Sequence, residues 1–174
     1  YFCSSCNRSY PVERSIWRCE CGSFLDLEFE PKFFVKKFSK RDATLWRYRE
    51  AIPISRDENI LSMGEGFTPL EEMDFHGRRV LLKIDYLFPT GSYKDRGATV
   101  LVSKAKELGI KKVVEDSSGN AGSAIAAYCA KAGIKAVIVM PKDAPTINRK
   151  EVAVAGAGLY LVDGLISDAG KIVG

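Results

Sequence analysis

The sequence predicts an α/β fold in which repeated strand–helix units build a parallel sheet. From residue 79 onward, short apolar runs alternate with segments of helical periodicity. Gly109, Gly133 and Gly158 follow one another at spacings of 24 and 25 residues, and each unit between them holds one helix and one strand. That repeat is typical of right-handed βαβ crossovers. Residues 136–140 are apolar throughout, as expected for a strand buried on both faces.

The individual elements follow from the same alternation. The predicted strands form a four-stranded half-sheet and cover residues 79–84, 112–115, 136–140 and 159–162. The predicted helices follow them at residues 98–108, 121–132, about 148–155 and 166–173. Because the last helix stops at Gly174 without a finished turn or cap, we expect the chain to be the first half of something larger.

Three zones differ in composition. Residues 1–30 hold a cluster of cysteines, and residues 23–29 alternate apolar and polar side chains as a half-buried strand does. Residues 31–78 contain prolines and aromatic residues without a sustained period, which predicts an extended connector. Residues 79–174 form the predicted α/β domain.

Composition excludes several classes of function. The chain has 174 residues, 46% of them hydrophobic, and a formal net charge of only +4, too weak to indicate nucleic-acid binding. No apolar run approaches the ~20 residues of a membrane-spanning helix. The single histidine, His76, lies in a predicted turn, which argues against histidine-based nucleophilic or metal catalysis. No secretory signal is recognisable, so we expect a cytoplasmic, reducing location.

The cysteine cluster predicts a structural metal site. Cys3 and Cys6 form one close pair, and Cys19 and Cys21 form a second pair after twelve intervening residues. Two such pairs can present four thiolates tetrahedrally to one zinc ion, or to iron, and leave no open coordination position. A redox CxxC motif is the alternative, but no helical period follows Cys6. Cys129 lies in an alanine-rich helical stripe and is predicted to be a buried small hydrophobe.

A lysine-containing loop precedes the first predicted helix of the α/β domain. Ser92 and Asp95 have the spacing of a capping box, which places Lys94 in the first helical turn. A cation is unfavourable at the positive end of the helix dipole. The position therefore favours a lysine that acts as a neutral amine, such as a Schiff-base or general-base lysine. A surface lysine without function is the alternative.

A second polar loop, residues 116–122, joins the next strand to its helix. Its serine and asparagine side chains and free N–H groups can bind a carboxylate or a phosphate. Since ligands of open α/β sheets bind beyond the carboxyl ends of the strands, we expect both loops to open on one crevice. Residues 156–158 do not complete a GxGxxG motif, so a dinucleotide site is not indicated.

These segments resemble a known family. Residues 91–97 (GSYKDRG) and 117–121 (SSGNA) are similar to the lysine and asparagine loops of fold type II pyridoxal-phosphate enzymes. Residues 64–70, residues 45–49 and the N-terminal zinc ribbon resemble the threonine synthase family in particular.

The resemblance implies a role for each loop. Lys94 would bind pyridoxal phosphate covalently and move protons, and Asn120 would hydrogen-bond the phenolic oxygen of the cofactor. Ser117 and Ser118, with the N–H groups of Asn120 and Ala121, would hold the α-carboxylate of the substrate. The implied reaction converts O-phosphohomoserine and water to threonine and phosphate, in a homodimer if the protein is full length.

The resemblance also implies an incomplete form. The glycine-rich loop that binds the cofactor phosphate, and the group that faces the pyridine nitrogen, belong to the second half of the family's usual chain. A serine/threonine dehydratase of the same fold shares both loops, but the ribbon and residues 64–66 favour the synthase. The alternative from another class is a non-catalytic fragment that binds a small anion or a protein partner.

Overall fold

The computed structural model describes residues 1–174 and contains five helices and five strands. In chain order these elements are α1 (Val35–Phe38), β1 (Leu70–Phe75), β2 (Arg78–Lys83), α2 (Asp95–Glu107), β3 (Lys112–Asp116), α3 (Asn120–Ala132), β4 (Lys135–Pro141), α4 (Thr146–Val154), β5 (Gly158–Val162) and α5 (Ile166–Val173). None of the helices combines the length and the apolar character needed to cross a membrane.

A parallel sheet with the strand order β3–β4–β5 is the centre of the fold. Val113 pairs with Ala136, and Val137 pairs with Gly158. Helices α3 and α4 connect consecutive strands, so each βαβ unit predicted from the glycine spacing is present. Gly133 ends α3 in the left-handed conformation at φ +68°, which side chains larger than hydrogen disfavour. The α/β prediction with a parallel sheet is confirmed.

The predicted fourth strand of that sheet is wrong. Residues 79–84 belong instead to β2, which pairs with β1 in a separate antiparallel hairpin from Leu70 opposite Lys83 to Phe75 opposite Arg78. His76 and Gly77 make the turn with φ values of +52° and +74°, as a two-residue hairpin turn with positive φ requires. Apolar side chains of β2 stay largely exposed, Leu81 by 60%. A short apolar run does not by itself specify which strand it pairs with.

Residues 1–30 contain no regular strand. Two isolated antiparallel bridges join Phe2 to Ser9 and to Asp26, so the strand predicted over residues 23–29 is reduced to a single bridge. Phe24 in that segment is 82% exposed, and no neighbouring strand buries its apolar face. The alternation of apolar and polar residues is therefore not sufficient to form a strand at residues 23–29.

The connector contacts the α/β part through buried polar bonds. Its short helix α1 is followed by 3-10 turns at Leu45–Ala51 and Asp57–Asn59. The indole N–H of Trp46 donates to the Thr99 hydroxyl at 2.9 Å, and that hydroxyl in turn donates to the Leu61 carbonyl at 2.5 Å. Because all three groups are buried, these bonds fix the connector on α2.

The main hydrophobic core lies between the sheet and the helices α2, α3 and α4. Its buried members are Leu61, Ala98, Val102, Ala105, Ala124, Ile125, Ala126, Tyr128, Cys129, Ile134, Ala136, Ile138, Met140, Ala144 and Val152. Ile138 on β4 faces this core, whereas Val139 points to the opposite face, where α5 packs against β3 and β4. Burial of β4 on both faces is thereby confirmed.

Candidate active site

The two polar loops lie at the N-terminal ends of neighbouring helices. Lys94 directly precedes α2, and residues 117–119 connect the carboxyl end of β3 to α3. Helix α2 packs beside α3, and the Lys94 ammonium acts electrostatically on Glu115 at the end of β3. The structure therefore brings the lysine loop and the serine–asparagine loop to one region, as the sequence predicts.

The lysine loop, residues 91–97, is held by hydrogen bonds to Asp95 rather than by a capping box. The fully buried Asp95 carboxylate accepts hydrogen bonds from the Thr90 N–H, at 2.9 Å, and from the Thr90 hydroxyl. The Ser92 hydroxyl accepts from the Lys94 N–H at 3.3 Å, and no side chain caps α2. Burial raises the pKa of Asp95, while the two Thr90 donors act in the opposite direction. The predicted Ser92–Asp95 capping box is wrong because Asp95 bonds backwards to Thr90.

Lys94 itself is half-buried at the start of α2. Its Nζ atom lies 4.8 Å from the centroid of the Tyr93 ring, and its side chain makes no ion pair. An amine without a carboxylate partner, on a rigid helix start, is suited to react with a carbonyl group.

The serine–asparagine loop presents free N–H groups. The buried Ser117 hydroxyl accepts from the Gly122 N–H at 2.8 Å and from the Gly119 N–H at 3.3 Å, so it holds the loop in shape. The N–H groups of Ser118, Asn120 and Ala121 have no hydrogen-bond acceptor within the chain. Free N–H groups at the start of the 13-residue helix α3 can bind an anionic group.

The Asn120 side chain is exposed and has one defined contact. Its Oδ1 atom accepts from the Nδ2 atom of Asn148, on α4, at 3.1 Å. Sequence reasoning missed Asn148 as a site residue because it lies 28 residues from Asn120. The one available signal was that α4 follows β4, so its first turn must lie near the same edge of the sheet.

Glu115 is a second group that sequence reasoning missed. The residue is half-buried, and its Oε2 atom is buried without a hydrogen-bond partner. The pKa of the Glu115 carboxyl is raised to about 7, chiefly by burial and next by the Asp116 carboxylate, against the opposing effect of the Lys94 ammonium. Burial, with a contribution from Glu115, also raises the pKa of the Cys129 thiol to about 11. Cys129 is fully buried, as predicted.

Glu65 connects the loop at residues 64–66 to α3. Its fully buried carboxylate accepts from the Ser62 hydroxyl at 3.0 Å, the Met63 N–H at 2.7 Å and the Tyr128 hydroxyl at 2.8 Å. Burial raises the pKa of Tyr128, and the bond to Glu65 raises it further. A buried carboxylate needs such donors. Ser62 and Met63 donate from the loop itself, and Tyr128 donates from α3 and so joins the loop to that helix.

The four N-terminal cysteines form a second candidate site. They are free thiols, and their sulfur atoms all lie within 4.8 Å of one another. The Sγ–Sγ distances are 3.6 Å for Cys3–Cys21 and 3.5 Å for Cys6–Cys19. Hydrogen bonds from the backbone and side chain of Ser23 are the main causes that lower the pKa of Cys21 to about 6. A group of converging thiols of this kind can bind a soft or borderline metal ion.

Comparison with known proteins identifies the family. Residues 61–174 match the family described as "Pyridoxal-phosphate dependent enzyme". The chain belongs to this family. The matched region of the pyridoxal-phosphate dependent enzyme family includes Lys94 and the whole serine–asparagine loop.

Relatives of known function support the resemblance to threonine synthase. The threonine synthase of Methanocaldococcus jannaschii is 35% identical over 178 residues, which cover 96% of this chain and 44% of that protein. The threonine synthase of Methanosarcina acetivorans is 33% identical over 181 residues, covering 98% of this chain and 44% of that protein. The chain thus spans less than half the length of these relatives.

Solved structures of two enzymes superpose on part of this chain. O-ureido-L-serine synthase superposes with a TM-score of 0.56 at 30% identity, over 61% of this chain and 36% of that one. A hydrogen sulfide-producing enzyme from Fusobacterium nucleatum gives a TM-score of 0.57 at 28% identity, over 62% of this chain and 39% of that one.

The residues present fit part of pyridoxal phosphate. The Lys94 amine suits its aldehyde, and the side-chain NH₂ of Asn120 suits its phenolic oxygen, because the Asn120 carbonyl is already taken by Asn148. The free N–H groups of Ser118, Asn120 and Ala121 suit a carboxylate, a group that the cofactor itself lacks.

Proposed function

We propose that this chain forms part of a pyridoxal-phosphate-dependent lyase of the threonine synthase type. The proposed reaction converts O-phosphohomoserine and water to threonine and phosphate. The observation that carries the proposal is the half-buried Lys94 at the start of α2, close to a loop with three free N–H groups. The threonine synthases of Methanocaldococcus jannaschii and Methanosarcina acetivorans, which match nearly the whole chain at 35% and 33% identity, support this substrate class.

Each site residue has a separate proposed role. Pyridoxal phosphate, when bound, supplies an electron sink for negative charge that develops on the substrate. Lys94 holds the cofactor covalently and transfers protons at its Nζ atom. Asn120 donates to the phenolic oxygen. The Ser118 hydroxyl and the N–H groups of Ser118, Asn120 and Ala121 bind the substrate carboxylate, while Ser117 contributes by holding this loop in its binding shape.

The cysteine cluster is proposed to bind one structural zinc ion. With Zn–S bonds of ~2.3 Å, the edges of a tetrahedron of sulfur atoms are about 3.8 Å long. The distances of 3.5 and 3.6 Å, and the common limit of 4.8 Å, bracket that value. Because all four positions would be protein ligands, the ion would stabilise residues 1–30 and not take part in the reaction.

Cofactor binding tests the proposal first. The purified chain is mixed with pyridoxal phosphate, and the absorbance of the lysine-bound cofactor is recorded for the wild type, Lys94→Ala and the exposed control Lys150→Ala. We expect a band in the wild type and in Lys150→Ala and none in Lys94→Ala. A band that persists in Lys94→Ala would refute the assigned role of Lys94.

Product analysis separates the synthase from its relatives. Phosphate release from O-phosphohomoserine, with threonine as the second product, is the expected outcome in the protein that contains this chain. Ammonia release from serine or threonine, without phosphate release, would instead indicate a dehydratase of the same fold.

A further inference from the structure

Asn148 is a buried polar residue to which the proposed reaction assigns no role. It lies in the first turn of α4 and is 5% exposed. Its Nδ2 atom lies 3.1 Å from Asn120 Oδ1, 3.1 Å from Ser123 Oγ and 3.2 Å from Glu151 Oε2. The amide group therefore connects a carboxylate on its own helix to the asparagine at the start of α3.

The carboxylate decides how the two amides are oriented. An ionised Glu151 can only accept hydrogen bonds, so Asn148 must direct its NH₂ group, not its carbonyl, toward it. That NH₂ group also faces Asn120, which must therefore direct its own carbonyl oxygen toward Asn148. The NH₂ group of Asn120 is then left for the ligand side of the site. A side-chain amide without such neighbours has two orientations that are close in energy.

We propose that Asn148 and Glu151 are positioning residues that orient the Asn120 amide so that it offers hydrogen-bond donors to a bound oxyanion. The identity of that oxyanion as the phenolic oxygen of pyridoxal phosphate rests on the proposed function, but the orientation of Asn120 does not. A donor pointed in advance at a charged oxygen makes a stronger bond than one that must first reorient.

A double variant that reverses donors and acceptors at positions 148 and 151 tests the orientation of the Asn120 amide while keeping the hydrogen bonds around it. In the double variant Asn148→Asp with Glu151→Gln, the carboxylate introduced at position 148 accepts from the amide introduced at position 151, from the Ser123 hydroxyl and from the NH₂ group of Asn120. Every buried polar group keeps a partner, but the carboxylate now lies at a position that is only 5% exposed, so we expect the urea unfolding midpoint to fall while unfolding stays a single cooperative transition. The carbonyl of Asn120 would now face the ligand.

Cofactor affinity is the first readout, measured by titration with pyridoxal phosphate. We expect the double variant to bind about 10- to 100-fold more weakly, as the loss of one hydrogen bond to a charged group predicts. Glu151→Gln alone replaces the fixed acceptor by an amide that can turn either way, so we expect a smaller loss of affinity than in the double variant. Lys150→Ala, at an exposed position of the same helix, is the matched control, and its affinity should stay within about twofold of the wild type. In an Asn120→Ala background the double change should have no further effect on affinity.

The side-chain amide signals of Asn120 give a second readout that needs no cofactor. Hydrogen exchange of these protons, measured by NMR, should be fast in the wild type and slowed for one proton in the double variant, where the introduced carboxylate accepts it. Unchanged exchange, or unchanged affinity of the folded double variant, would overturn the inference. If the wild type binds no cofactor, the proposed function fails, and the exchange measurement still decides the orientation of Asn120.

Discussion

Glu115 offers a test of the electrostatics beside Lys94. We expect Glu115→Gln to raise the free energy of unfolding at alkaline pH and to leave it nearly unchanged in acid. A carboxyl that titrates at about 7 in the folded chain, instead of its ordinary 4.5, destabilises the fold by about 3 kcal/mol when fully ionised, at 1.36 kcal/mol per pH unit. Because the residue keeps some exposure, solvent screening reduces the expected gain to about 2 kcal/mol.

The direction of the pH effect on the free energy of unfolding follows from proton binding in the folded and unfolded states. Between about pH 4.5 and pH 7 the folded chain retains the Glu115 proton while the unfolded chain has lost it, so rising pH favours unfolding in this window. Below the window both states carry the proton, and above it neither does. Glutamine resembles the protonated carboxyl and does not titrate, so the free energy of unfolding of the variant does not fall in this pH window through residue 115.

Urea unfolding from about pH 4 to about pH 9 measures the difference between wild type and variant. Glu71→Gln, which changes an exposed glutamate of β1, is the matched control and should shift stability by less than about 0.5 kcal/mol at every pH. A constant difference between wild type and Glu115→Gln across this range would refute the assignment of the raised pKa to Glu115.

Three further predictions concern packing and the cysteine cluster. Tyr128→Phe should lower the free energy of unfolding by about 2 kcal/mol in urea, because it removes a donor from the buried Glu65 carboxylate; a loss below about 0.5 kcal/mol would contradict that role. Gly122→Ala should cost about 1–3 kcal/mol in the same assay, since its Cβ would lie 2.7 Å from the Ile138 side chain. Gly97→Ala in α2 meets open space and should cost nothing. Elemental analysis should find one zinc per chain, and its removal by a chelator should speed hydrogen exchange in residues 1–30 only; unchanged exchange there would contradict a structural zinc.

Local signals were sufficient for the helices and strands of the α/β part. The glycine after α3 predicts the end of that helix, and the continuous apolar run of β4 predicts a strand buried on both faces. Each signal depends only on neighbouring residues. The same local patterns predicted a fourth strand of the parallel sheet at residues 79–84 and a half-buried strand at residues 23–29, and both predictions were wrong. In the first case the strand pairs with β1 rather than β3, and in the second no partner strand is present.

The candidate site could be predicted in its loops but not in its supporting residues. Lys94 and Asn120 lie in loops whose residue types already indicate chemistry. The supporting residues act through contacts with residues far away in the chain, so their sequence neighbours do not predict these contacts. They are Asn148, Glu115 and Glu65. Glu65, for example, is bonded to Tyr128 across 63 positions of the chain.

The sequence by itself determined the α/β class, the order of its βα units, the cysteine spacing and the two polar loops, because each depends on residues within one turn or one strand. The tertiary structure alone decided which strand β2 joins, how the Asn120 amide is turned, and why Glu115 holds its proton near neutral pH. These properties depend on burial and on partners brought together from distant positions, and burial changes the free energy of a polar group more than any local preference does.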